Sequence, residues 1–294
     1  HYPLRRQRQM CIRDSSYPSL RSVFFEYHIS KEEILTRLSN IIDFLLNVVY
    51  TVLDPIDTPI DYVSKVHFEK LKNRIQESSK MAPELIKVFK SRILEINGKN
   101  FFNISLLIPA ILKREDILED LTPSKLYMIH GDIHYNNILC GLRKEKNILI
   151  DCRGRSPYGT VHCDVAYDFG KIMHEYKGKY SIIERGEYGI FLNCEKNKVS
   201  ITYEFTNGAM VDKYESFEKE IDAMLNKKIG NKFGNWRYRS EFMEAMMYLT
   251  MIPFHLRKKQ EGLMCYVRGV ISLNEWVKKY HPELYASLAR RRSR

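Results

Sequence analysis

The chain has 294 residues, 44% apolar and 12% aromatic, and a formal net charge of +11. That is enough for one large domain or two small ones with a sizeable core, and it excludes disorder as the default. The charge points first to nucleic acid or a membrane surface, but four arginines near the start against Asp14 supply +3, four near the end supply +4, and only +4 is left for everything between. A body with so small an excess has an ordinary solvated surface, so no nucleic-acid partner is expected.

The six cysteines form no CxxC pair and no Cys/His zinc spacing, which fits reduced thiols and a cytoplasmic location. A membrane span needs about 18 to 20 uninterrupted apolar residues. The nearest run, 41–53, is broken by Asp43 and Asn47. No apolar core follows the arginine-rich start, so no secretory signal is expected. Residues 1–15 lack any periodicity and are read as a non-native or disordered basic segment, with 286–294 a basic tail. The body is then 16–285.

Taken in order, Ser30 and Glu33 form an S-x-x-E capping box ahead of Ile34, Leu38, Ile41, Ile42, Leu45 and Val49, which predicts a helix over 31–50. Pro55 and Pro59 mark a loop. Residues 62–79 read as a second amphipathic helix and 84–93 as a third, opened by Pro83. The stretch 101–121 reads as a broken helical segment, so the part before residue 125 is expected to be mainly helical. An apolar run, 126–129, then leads into His130-Gly131-Asp132, with Asn137 five residues further on.

Ile138-Leu139-Cys140 and 147–150 flank a charged turn and read as a hairpin. Such a hairpin would bring Asn137 at its entrance close to Asp151 at its exit. Asp164 is placed to cap a helix running to about Tyr176. Residues 190–193 and 199–205 read as a second hairpin, and helices are expected over 214–225, 238–256 and 262–279, the last ending before Pro282.

The chemistry sits around H-G-D-x-x-x-x-N. One carboxylate, Asp132, could orient a hydroxyl nucleophile, while Asn137 and Asp151 could hold Mg²⁺ against nucleotide phosphates through hard oxygen donors. A turn with an Asx motif is the plainer reading of Asp132 and Asn137. Arg153 suits a phosphate or a local carboxylate equally well. His134 sits inside the loop and could meet substrate, though a surface histidine is the preferred reading. Met243, Met246, Met247, Tyr248 and Met251 lie at helical spacing and are read as core.

These residues resemble the aminoglycoside phosphotransferase and choline kinase group, small-molecule kinases of protein-kinase-like fold. The likeness rests on His130-Gly131-Asp132 with Asn137, on Ile150-Asp151-Cys152-Arg153-Gly154, and on the stretch from Asp164 through Asp168 to Lys171. That stretch is similar to D-P-x-Y-D-L-A-K, with Val165 for Pro and Gly170 for Ala. The resemblance as a whole covers about residues 17–280 and is sharpest over 127–176.

The resemblance implies an α+β fold, mainly a helical C-terminal lobe with small hairpins. It implies Asp132 as catalytic base or hydroxyl-orienting group, and His130 and Asp168 as braces of the catalytic loop. Asn137 and Asp151 would be the magnesium ligands. ATP (or GTP) would be the co-substrate and a small-molecule hydroxyl the acceptor. A sugar or amino alcohol of surface-polysaccharide biosynthesis is the favoured class by analogy.

The group's amino-terminal strand lobe carries a phosphate-covering loop and a Lys. No such loop precedes residue 130, and Lys87 sits in a helical setting. The native part is therefore read as starting near Tyr17, with the nucleotide-gripping half missing. Weak ATP binding is the expectation, and a non-catalytic pseudokinase-like binding module is the alternative.

Overall fold

The computed structural model describes residues 17–27, 29–141, 146–156, 158–196 and 198–290. The basic start, the hairpin turn at 142–145 and the final arginines lie outside them.

A first helix, α1 (Leu20–Glu26), is capped by Ser19, whose hydroxyl accepts from the Ser22 amide. Helix α2 (Lys31–Asn47) starts where the capping box places it, with Ser30 Oγ accepting from Glu33 N at 3.1 Å. The Glu33 carboxylate does not turn back to the cap. It pairs instead with Arg37 at 2.7 Å, and the buried Arg37 guanidinium goes on to donate to the Gly141 carbonyl at 3.1 Å. Helix α2 ends three residues earlier than expected, and a 3₁₀ turn over Val49–Thr51 follows.

A two-residue strand, β1 (Ile56–Asp57), precedes a π-helical turn (Ser64–Glu69) that runs into α3 (Lys70–Met81). Pro83 opens a 3₁₀ turn leading to the short α4 (Ile86–Lys90). Here the expectation of helix to residue 93 fails. Residues 93–102 form a hairpin of β2 (Ile93–Ile96) and β3 (Lys99–Phe102). Its turn is Asn97-Gly98, with φ of 48° and 75°, the left-handed pair that a type I′ turn requires.

Two helices, α5 (Ile104–Ile111) and α6 (Glu115–Asp120), make up the broken helical segment, and β4 (Lys125–Met128), which pairs with β1 on one side, leads into the loop at 130–137. The expected hairpin is β5 (Ile138–Cys140) with β6 (Asn147–Leu149), in the register Ile138↔Leu149. Pro18 extends its edge, its carbonyl accepting from Cys140 N at 2.8 Å. After β7 (His162–Cys163), which pairs with β4, come α7 (Ala166–Tyr176) and α8 (Tyr180–Arg185).

The second expected hairpin is β8 (Tyr188–Cys194) with β9 (Val199–Phe205). It joins β2 by a parallel pairing, Glu95↔Ser200 and Ile96↔Ile201, giving a mixed four-stranded sheet in the order β3-β2-β9-β8. The chain finishes with α9 (Gly208–Ile229), α10 (Trp236–His255), α11 (Lys259–Tyr280) and α12 (Pro282–Arg290). Pro282 starts a helix that runs past residue 285 into the stretch expected to be a basic tail. Leu284 and Leu288 are buried, so the fold extends through Arg290.

The fold is thus mixed, mostly helical, with three small sheets among the described residues. Its core lies between α7, α10 and α11. Gly269 lets α11 approach α10, since a Cβ there would sit 2.6 Å from Leu249 Cγ. Met243, Met246, Met247 and Tyr248 are buried, as expected from their spacing, but Met251 is half-buried and lines the cavity described below, together with Met247. Cys140, Cys152, Cys163, Cys194 and Cys265 are free thiols. Among the described residues no helix is long and apolar enough to cross a membrane.

Candidate functional site

Strand β4 delivers the chain to the buried His130, and the loop then enters the wall of an open cavity of about 670 Å³ at Asp132. Gly131 then turns with φ of 77°, and a Cβ at that position would lie 2.7 Å from Arg153 Cβ. Glycine is needed on both counts, because the loop and the segment after β6 cross there, with Arg153 N donating to the His130 carbonyl at 2.7 Å.

Asp168, on the first turn of α7 and fully buried, holds this corner from below. Its two oxygens accept from His130 N at 2.9 Å and Gly131 N at 2.7 Å, and Tyr50 Oη donates to it at 3.2 Å. Burial pushes its carboxyl up to about 6, against the two amides and the phenol, which favour the anion.

Asp132 follows, half-buried at the cavity wall. Lys171, one turn beyond Asp168 on α7, approaches Asp132 Oδ1 at 3.0 Å, and His134 Nε2 lies 3.9 Å from Oδ2. Burial acts to raise the Asp132 carboxyl, but Lys171, His134 and Arg153 outweigh it and hold the group below the ordinary carboxylate range. Asp132 is therefore an anion at neutral pH, suited to accept and align a hydroxyl proton. His130 is buried, and burial keeps its imidazole neutral in spite of the nearby carboxylates. Its Nδ1 accepts from Asp132 N at 3.3 Å.

His134 is not a surface histidine. It lines the cavity, its side chain is 19% exposed, and burial with Lys171 close by lowers it to about 4. A 3₁₀ turn (Tyr135–Asn137) brings Asn137 round, its amide N donating to the His134 carbonyl at 2.8 Å. Asn137 Nδ2 donates to the Asp132 carbonyl at 2.8 Å, which commits the nitrogen end of the amide to the loop and turns Oδ1 the other way. The Asn137 carbonyl accepts from Ile150 N at 3.0 Å, so the residues just outside the β5–β6 hairpin are tied together. Asp151 comes next, with φ of 57°. Asp132, Asn137 and Asp151 all line the same cavity.

Asn137 and Asp151 present hard oxygen donors at one end of the ribbon, a set that fits Mg²⁺ completed by phosphates and water. Among the described residues no group of three or more His, Cys, Asp or Glu is arranged to hold a metal by itself. Among the described residues no carboxylate pairs with Arg153. Its Nη1 donates to Tyr167 Oη at 2.6 Å, and the guanidinium lies 5.2 Å from that ring's centre. Asp164 does more than start a helix. It accepts from Ala166 N at 3.0 Å and forms a buried ion pair with Arg239 at 2.6 Å.

Sequence reasoning passed over Lys171, although it was visible three residues after Asp168, the spacing that puts both on one helical face. It also passed over Glu175 beneath the loop. That carboxylate accepts from Tyr135 N at 3.2 Å and from Ser181 Oγ at 2.8 Å, and burial pushes it up to about 7. The folded state therefore holds this proton more tightly than the unfolded chain. The stability this confers is complete below the ordinary glutamate value of 4.5 and is lost as pH rises through about 7. The melting temperature should fall between about pH 5 and pH 8, and Glu175→Gln should flatten part of that slope. An unchanged slope in the variant would refute the assignment.

No family model matches the chain, and no curated protein matches it.

Proposed function

We propose that the chain is a small-molecule phosphotransferase with the helical body of the protein-kinase-like fold, transferring the γ-phosphoryl group of ATP or GTP to a hydroxyl. The observation that carries this reading is the convergence of Asp132, Asn137 and Asp151 on one cavity, with the loop beneath them pinned by Asp168. In this reading the acceptor oxygen attacks the γ-phosphorus while the bond to the leaving nucleoside diphosphate breaks. Asp132 aligns the hydroxyl and takes its proton. Lys171 keeps that carboxylate ionised and steers it toward the cavity. Asn137 and Asp151 would hold Mg²⁺, which when bound supplies neutralisation of the phosphate charge. The contribution of such machinery is positioning and electrostatics rather than covalent chemistry.

The test is release of nucleoside diphosphate, and formation of a phosphomonoester, from Mg·ATP or Mg·GTP over a panel of sugars and amino alcohols. Asp132→Asn should lower kcat by about 10²- to 10⁴-fold, the usual weight of a positioned acid–base group, and leave nucleotide affinity intact. Turnover unaffected by the substitution would sink the mechanism. Magnesium-dependent nucleotide binding with no turnover on any acceptor would favour the binding-module reading.

A further inference from the structure

Lys70 and Arg74 lie one turn apart on α3, which packs on α10, and both line the cavity. Lys70 Nζ lies 5.7 Å from the centre of the Tyr167 ring, and the Arg153 guanidinium lies 5.2 Å from the same centre. Two like charges are thus gathered on one buried phenol. The other cations of this cavity have carboxylate partners: Lys171 has Asp132, Arg21 has Glu184, and Arg74 has Glu77 at 2.6 Å. Among the described residues no carboxylate comes within salt-bridge distance of Lys70 or Arg153. Asp132, itself paired with Lys171, offsets Arg153 from beyond salt-bridge distance, so the two cations would still gain from an added anion.

A second cavity, about 290 Å³, is also lined by Lys70, Arg153 and Tyr167, so this cluster forms the wall between the two and is reached from both. The local potential is strong enough to act on Tyr167 itself. Burial acts to raise its phenol, yet Lys70, Arg153 and Lys171 together bring it below its ordinary value.

We propose that Lys70 and Arg153 form an anion subsite for the acceptor, so that the substrate is a hydroxyl compound bearing a phosphate or carboxylate, with its hydroxyl at Asp132 and its anionic group on Tyr167's two cations. This rests on the phosphotransferase reading and narrows it. The guanidinium fork and the ammonium suit phosphate or carboxylate oxygens, and they would repel a cationic amino alcohol. Asp132, Asn137 and Asp151 line the same cavity as Lys70 and Arg153, so one cavity holds both the anchor and the groups assigned to the hydroxyl and the donor phosphate.

The experiment is calorimetric titration of the full chain, without nucleotide, with glucose 6-phosphate, glucuronate, glucose and choline. The two anions should bind about tenfold or more tighter than glucose and choline, and Lys70→Met and Arg153→Met should each lose about tenfold, the weight of one charge-assisted contact. Circular dichroism of each variant separates a lost contact from a lost fold. Lys125→Met, at a lysine that pairs with Asp57 and lines neither cavity, should keep the affinity for glucose 6-phosphate.

A repeat with saturating Mg·AMP-PNP separates the two sources of anion. Simultaneous binding supports the acceptor subsite, whereas mutual exclusion overturns it and gives the cluster to the nucleotide's own phosphates. Anions that bind no tighter than glucose, or a folded Lys70→Met with full affinity, also overturn it. Transfer to neutral or cationic alcohols alone would defeat this inference and leave the phosphotransferase reading standing. Anion binding through Lys70 and Arg153 with no transfer to any acceptor would defeat that reading and support the anion subsite.

Discussion

Asp168→Ala is expected to destabilise the protein by about 3 kcal/mol or more and to unpin the loop at His130 and Gly131. The carboxylate accepts two backbone amides and one phenol, all buried. Hydrogen bonds to charged groups contribute about 1.5–3 kcal/mol each, and orphaned buried donors bring their own desolvation cost. Alanine leaves both amides and the Tyr50 hydroxyl without the acceptor. Asparagine is not a rescue, because its Nδ2 would face one of the two N–H donors it is meant to satisfy.

Two readouts follow. The denaturant midpoint should shift strongly, and amide exchange at His130 and Gly131 should accelerate more than exchange in α10. A variant within about 0.5 kcal/mol of the parent, the usual scatter of neutral surface changes, would show that the brace is incidental. If phosphoryl transfer is detected, it should fall with the brace even where the protein still folds, since Asp132 is carried on the loop this carboxylate anchors.

The second large effect is expected at Arg239, which is nine-tenths buried against Asp164, itself 1% exposed. Arg239→Met removes the counter-charge, together with a bond to the Phe233 carbonyl at 2.9 Å, and leaves a carboxylate in the interior. Breaking a buried pair from one side costs about 3–5 kcal/mol, whereas replacing both partners costs far less. The double variant Arg239→Met with Asp164→Asn should therefore be more stable than the single one. That order of stabilities in urea or guanidinium unfolding is the check. A single variant as stable as the double would mean that Asp164 is satisfied by Ala166 and its surroundings alone.

Much of the fold could be read from local pattern. Ser30 and the apolar series behind it mark the start of α2, because the cap and the buried stripe are both properties of neighbouring residues. The β5–β6 and β8–β9 hairpins are legible for the same reason, through alternation and short connections. The β2–β3 hairpin also had a local signal, Asn97-Gly98, but the helical stretch before it was carried too far, across Ser91. The parallel pairing of β2 with β9 had no local signal, because its partners are about a hundred residues apart.

The site divides in the same way. Asp132, Asn137 and Asp151 were visible because one loop and one hairpin bring them together. Arg239 beneath Asp164, and Lys70 on the face of Tyr167, depend on helices packing across the molecule, and nothing near them in the chain announces the partner. His134 was misread because its burial comes from α7 and α8 closing over the loop, not from its neighbours in sequence.

Asp151 sits in the left-handed region, which costs a residue with a side chain about 1–2 kcal/mol and costs glycine nothing comparable. The position thus sets two selective pressures against each other. A lineage, or a laboratory screen, rewarded only for heat resistance would drift toward glycine there and lose the carboxylate. A screen for activity should instead hold an acid there, at a place where the backbone favours glycine.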